Sequence, residues 1–150
     1  MKIRSAEPAD LESIKDLLLS ENLPLEGVEQ HLGQFIVARD EDRLIGVVGL
    51  ERYGKVGLLR SLTVAADHRR RQIGAELCRR LMRRAAALGV DELYLLTETA
   101  EHFFSRLGFR RCPRDRVPEA IARTAEFSRL CPATAALMMQ RARADLDLDE

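Results

Sequence analysis

The chain has 150 residues, 46% hydrophobic and 32% charged, with 24 Lys plus Arg against 24 Asp plus Glu. That length suits one domain able to bury roughly two-thirds of its unfolded surface. The apolar content and zero net charge exclude a disordered chain and argue against a chain-wide electrostatic nucleic-acid binder. Only Lys2, Lys15 and Lys55 are lysines. The remaining cations are arginines, which favour bidentate recognition of phosphate and carboxylate.

In chain order, Lys2–Arg4 predicts a short strand, and Pro8 with Asp10 opens a helix to about Glu21 whose apolar face is Leu11, Ile14, Leu17 and Leu18. Leu25 to Leu32 predicts a second short helix ended by Gly33. Strands follow at Phe35–Ala38 and Leu44–Leu50, separated by the acidic turn Asp40–Asp42. After a turn at Tyr53–Lys55, Val56 to Ala65 predicts a long apolar strand. The longest helix is predicted over Ile73 to Leu88, with Ile73, Leu77, Leu81, Ala85 and Leu88 as its stripe and Gly89 as its stop. Glu92–Thr97 predicts a strand, Thr99 a cap for a helix to Leu107, and Gly108 a stop before a strand at Phe109–Arg110. Pro118 to about Ala125 predicts a short helix and Ala135–Gln140 a last strand. Alternating strands and helices place the chain among α/β domains with a mixed sheet. The domain is expected to span 1–143, with 144–150 an acidic, frayed tail.

No signal-peptide core, membrane-length apolar run, repeat or linker appears, so the expected location is the cytoplasm. Cys78, Cys112 and Cys131 match neither a disulfide framework nor a zinc spacing, and no metal is expected. His31, His68 and His102 are scattered and read as surface or capping residues.

The transition at residues 62–75 carries the chemistry. An apolar strand runs into a turn with Arg69, Arg70 and Arg71, and a helix begins at once. The unpaired N–H groups and partial positive charge of a helix start make an anion site, which arginines reinforce. The loop has neither the Gly-Lys-Ser/Thr of a P-loop nor a dinucleotide fingerprint. From these residues alone, a solvated basic turn is an equal alternative.

The stretch Leu62-Thr63-Val64-Ala65-Ala66-Asp67-His68-Arg69-Arg70-Arg71-Gln72-Ile73-Gly74-Ala75 resembles the acetyl-CoA-binding motif of the GNAT N-acetyltransferase superfamily, a strand followed by Arg/Gln-x-x-Gly-x-Gly/Ala and a helix. Arg69 and Gly74 stand at motif positions, and Gln72 replaces the middle glycine, although Gln does not adopt positive φ freely. Leu93–Thr97 followed by Phe103–Phe109 resembles the family's next strand and helix ending in Gly-Phe. The resemblance implies a single-domain GNAT fold, a mixed central sheet flanked by helices with strands splayed at the acetyl-CoA site. It implies acetyl-CoA as co-substrate, held by Leu62, Thr63, Val64, Arg69, Arg70, Arg71, Gln72, Ile73, Gly74, Ala75, Thr97 and Phe104. Many members carry a proton-donating Tyr four residues before that glycine; here the position is Phe104.

Two subgroups are similar. Gly49–Glu51, Gly57–Leu62 and the pattern Pro118-x-x-Ile121-x-x-Thr124-x-Glu126-Phe127-x-x-Leu130-Cys131-Pro132 resemble arsenic-resistance-linked N-acetyltransferases. Leu93–Phe109 also resembles amino-acid acetyltransferases of the N-acetylglutamate synthase type. Both imply transfer to the amine of a small amino-acid-like substrate, in the first subgroup an arsenical one.

Chemistry then selects candidates. Glu51, closing an apolar strand, is the preferred base or amine anchor, with Glu98 and Glu126 in reserve. The Val64 backbone N–H is the family-like oxyanion donor. Arg60, inside an apolar strand, either meets a substrate carboxylate or has a plain structural place, as a salt bridge to Glu51 or at an exposed strand edge. Ser61, Thr124 and Arg129 complete the candidate substrate site. The competing readings are a catalytically weak acetyl-CoA-binding regulatory module and, against the neutral charge, a nucleic-acid binder using Arg79, Arg80, Arg83 and Arg84. The partner is a small-molecule amine, with no nucleic acid and no membrane; Leu137–Met139 could support a homodimer.

Overall fold

In the computed structural model, residues 1–69 and 72–142 are described. Seven strands form one mixed sheet: β1 (Lys2–Ser5), β2 (Phe35–Asp40), β3 (Arg43–Tyr53), β4 (Val56–Val64), β5 (Glu92–Thr97), β6 (Arg110–Arg111) and β7 (Ala136–Arg141), in the order β1-β2-β3-β4-β5-β7-β6. The helices are α1 (Leu11–Ser20), α2 (Ile73–Ala87), α3 (Glu101–Arg106) and α4 (Glu119–Ala122). No helix among the described residues is long and apolar enough to cross a membrane. The acidic tail lies outside the described residues.

The chain groups into two compact units. Residues 1–51 and 60–81 form the first; residues 52–59 and the described residues from 82 onward form the second. In the first, β1, β2 and β3 are antiparallel neighbours, with Phe35 opposite Gly49. A Cβ on Gly49 would lie 2.3 Å from the Phe35 ring, so the ring fills the place where any side chain would stand. Strand alternation sends Val47 with Val37 and Phe35 toward Ile14 and Leu18 of α1, while Gly46 faces Leu77 and Ile73 of α2. The apolar periodicities of α1 and α2 thus seat them on opposite faces of the same strands.

In the second unit, β5 pairs antiparallel with β7 along its whole length. Its parallel ladder with β4 covers only Val56↔Glu92, Gly57↔Leu93 and Leu58↔Tyr94 among the described residues. Leu58, Tyr94, Ile121, Leu137 and Met139 form its core. Phe104, in the same unit but outside this cluster, is buried edge-on to Phe103 and Phe109 at 5.0 and 5.8 Å between ring centres.

Three local expectations are corrected. Leu25–Leu32 is a series of turns leading into a 3-10 turn at Leu32–Gln34, not a helix. Gly27 is left-handed at φ +88, which ends any right-handed run. Thr97, not Thr99, supports the start of α3, its hydroxyl accepting the Ala100 N–H at 2.9 Å. After α4, the chain adds an unpredicted π-helical turn at Glu126–Leu130.

Candidate functional site

Strand β4 carries five of the candidate residues, Arg60 to Val64, and it changes character partway along. Ser61 sits in the middle of the strand with φ +65, a left-handed conformation unusual for a side-chain-bearing residue. Beyond this kink come Leu62, Thr63 and Val64, and Thr63 is buried. The strand ends at Val64, and the Arg69 side chain returns to it: Nε donates to the Val64 carbonyl at 3.0 Å. The same guanidinium pairs with Glu21 at 2.6 Å. Arg69 therefore braces the strand end as well as standing beside the loop.

His68, one residue earlier, lies between two carboxylates, with Nδ1 2.9 Å from Asp67 and Nε2 3.3 Å from Asp40. Arg43 also pairs with Asp67 at 2.7 Å and, together with His68, holds the Asp67 carboxyl well below the usual carboxylate range. These contacts tie the β4–α2 turn to the β2–β3 turn.

Gln72 adopts φ +59, the conformation that the glycine at this motif position would take without cost. Its carbonyl accepts the first backbone bond of α2, from Glu76 at 3.2 Å. The N–H groups of Ile73, Gly74 and Ala75 are therefore first-turn amides without intrahelical partners. Arg70 and Arg71 lie outside the described residues.

Glu51 and Arg60 meet. The ion pair is 2.6 Å long, and the side chains are 6% and 1% exposed. Of the alternatives for Arg60, the structure shows the salt bridge. The guanidinium has further partners: Nε donates to Ser61 Oγ at 2.9 Å, Nη1 to the Glu26 carbonyl at 2.6 Å, and Nη2 to the Pro24 carbonyl at 3.2 Å. The second Glu51 oxygen faces His31 Nε2 at 3.9 Å. A Cβ on Gly27 would lie 2.7 Å from Arg60 Nη1 and 3.3 Å from Glu51 Oε2. Glu51, Arg60, Ser61, His31 and the Pro24–Gly27 loop thus converge in the first unit.

His31 and the loop carbonyls were missed in the sequence. The available signal was Pro24 and Gly27 flanking a two-residue tip, a turn pattern that the neighbouring apolar periodicity obscured.

The remaining candidates belong to the second unit. Thr124 is buried and local: its hydroxyl donates to the Ile121 carbonyl at 2.7 Å and accepts the Phe127 N–H at 3.2 Å. Arg129 lies in the π-helical turn beside Glu126, a buried carboxylate that accepts from the Cys131 thiol at 3.5 Å. Thr97 serves the α3 turn, and Phe104 packs in the aromatic cluster. Among the described residues, no group of three or more His, Cys, Asp or Glu is placed to hold a metal.

The family described as acetyltransferase (GNAT) domain matches residues 31–111. The amino-acid acetyltransferase of Pseudomonas syringae pv. tomato is 34% identical over 106 residues, covering 69% of this chain and 24% of that protein. That of Azotobacter vinelandii is 32% identical with the same coverage. The chain thus spans about a quarter of the length of these curated relatives. N-acetylglutamate synthase from Neisseria gonorrhoeae, solved with coenzyme A and N-acetyl-glutamate, superposes with a TM-score of 0.81 at 20% identity, over 95% of this chain and 35% of that one. Rv2747 from Mycobacterium tuberculosis, solved with CoA, gives 0.80 at 22% identity over 94% and 99%. The match across residues 31–111 spans strand β4, the Gln72 turn and helix α2, and the chain belongs to the GNAT acetyltransferase family.

Proposed function

We propose that this protein transfers the acetyl group of acetyl-CoA to the amine of a small amino-acid-like substrate. The observation that carries the reading is the Gln72 turn. At φ +59 it takes the conformation the motif assigns to glycine, so the first-turn amides of α2 follow directly from strand β4. In this reading those amides, with Arg69, Arg70 and Arg71, bind the pyrophosphate. The backbone of Leu62–Val64 pairs with the pantetheine arm, and the Val64 N–H stabilises the developing oxyanion.

The incoming ammonium must lose a proton before it attacks the thioester. Glu51 is the proposed acceptor or anchor, its carboxylate set between Arg60 and His31. Nitrogen attacks the carbonyl carbon and releases its second proton to solvent, the C–S bond breaks, and CoA leaves as thiolate. Phe104 supplies no proton, so solvent protonates the thiolate; a thiol pKa not far above neutral makes that adequate.

The curated relatives named amino-acid acetyltransferase support the acceptor class. An arsenical amino acid belongs to the same class, and the Pro118–Pro132 pattern supports testing it. The decisive experiment follows CoA thiol release from acetyl-CoA with a panel of L-amino acids and one arsenical amino acid. Release with at least one acceptor is expected. Acetyl-CoA binding without release on any amine would establish the regulatory-module alternative instead.

A further inference from the structure

We propose that Arg60 is a positioning residue of the acetyl-transfer site: its guanidinium holds the Pro24–Gly27 loop and the Ser61 kink in one arrangement, and so sets the direction in which Leu62–Val64 present their backbone. The inference rests on the acetyl-transfer reading of β4 given above. Four donations from one buried guanidinium reach three separate chain segments: the loop at Pro24 and Glu26, β3 at Glu51, and β4 at Ser61. A left-handed serine inside a strand is conformationally costly and persists only where its surroundings over-determine it. Here the hydroxyl of that serine is itself one of the guanidinium's acceptors. The loop approaches Arg60 so closely that only glycine fits at position 27.

This arrangement needs the planar fork of arginine. A lysine keeps the charge but cannot direct donors at Ser61, Glu26, Pro24 and Glu51 together. Oxyanion stabilisation depends on donors placed to a few tenths of an ångström, so a strand that leaves its kink at another angle loses rate before it loses fold.

The test compares wild type with Arg60→Lys and Ser61→Ala, the second keeping the ion pair intact. Steady-state thiol release is measured with acetyl-CoA and the L-amino-acid panel, together with amide hydrogen exchange of residues 24–31. Arg60→Lys is expected to lower kcat about 100-fold, with KM for acetyl-CoA little changed. Its loop amides should exchange roughly tenfold faster. Ser61→Ala should shift kcat in the same direction by less. Wild-type kcat and exchange in Arg60→Lys would overturn the proposal. So would a rise in KM for the amine alone, which would put Arg60 in direct contact with the substrate. If wild type releases no thiol on any amine, the functional reading fails. Loop exchange then decides the positioning claim by itself: faster exchange in Arg60→Lys supports it and unchanged exchange overturns it.

Discussion

Two buried carboxylates in the same unit are held by arginines, and they are held for different ends. Asp10 pairs with Arg4 at 2.8 Å and Arg39 at 3.3 Å, and accepts the Glu7 N–H at 2.7 Å. Its arginines are about one-quarter exposed, at 26% and 24%. Glu51 pairs with an arginine that is 1% exposed and already bonded to two backbone carbonyls and a hydroxyl. The Asp10 cluster ties β1 and β2 to the start of α1. The Glu51 cluster adds the Pro24 and Glu26 carbonyls to a fully buried pair on β3 and β4. Similar residue types do structural work in one place and, in the proposed reading, set up a reactive strand in the other.

The largest effect that separates them is the loss of one carboxylate charge. Glu51→Gln leaves a guanidinium buried and uncompensated, and about 3–5 kcal/mol of stability should be lost. Asp10→Asn should cost only about 1–2 kcal/mol, because Arg4 and Arg39 can hydrate. Urea denaturation of the two variants checks this; equal losses would erase the distinction. Cys78 gives an independent reading, since burial pushes its thiol up to about 12. Native-state labelling of Cys78 should accelerate much more in Glu51→Gln than in Asp10→Asn.

Acid provides the next comparison. Arg4 foremost, helped by the Glu7 amide and Arg39, holds the Asp10 carboxyl below its ordinary value. The folded state therefore favours the ionised form. The contribution is fully present above about pH 4, the unfolded value, and is lost as pH falls through the lowered folded value. Wild type should lose stability below pH 4 more steeply than Asp10→Asn. Parallel curves from denaturation midpoints against pH would show that Asp10 contributes nothing to acid sensitivity.

The smallest effects come from two of the left-handed residues, Gln72 and Ser61, and their signs should differ. Gln72→Gly relieves backbone strain and should stabilise the chain by up to about 1 kcal/mol without weakening acetyl-CoA binding. Ser61→Gly relieves similar strain but removes an acceptor from the buried Arg60 guanidinium, so it should be destabilising by about 1 kcal/mol. Thermal denaturation with and without acetyl-CoA reads both. Stabilisation by both substitutions would mean that the Arg60–Ser61 bond contributes little.

Local periodicity made most of the fold legible. The stripe of Ile73, Leu77, Leu81 and Ala85 gave α2, and Gly89, at φ +91, gave its end. Leu25–Leu32 misled because its apolar spacing suits a helix, while its backbone is committed to distant partners: the carbonyls of Pro24 and Glu26 are taken by Arg60, 36 and 34 residues away. Glu51 and Arg60 could be singled out as charges inside apolar strands. Their closure into a pair with His31 nearby depends on strand register and loop path, which no local pattern contains. Gln72 shows the same limit: its type disfavours a left-handed turn that the surrounding structure nevertheless imposes.

The loop between α1 and β2 is fastened to Arg60 by the main-chain oxygens of Pro24 and Glu26. Carbonyls at 24 and 26 accept these bonds whatever residue carries them, and only position 27 is restricted by space. The loop can therefore change its chemical face without losing its mooring. A library varied at Glu26 and Glu29, with Gly27 and the core-packed Leu25 fixed, tests whether this loop sets the acceptor preference of the proposed reaction.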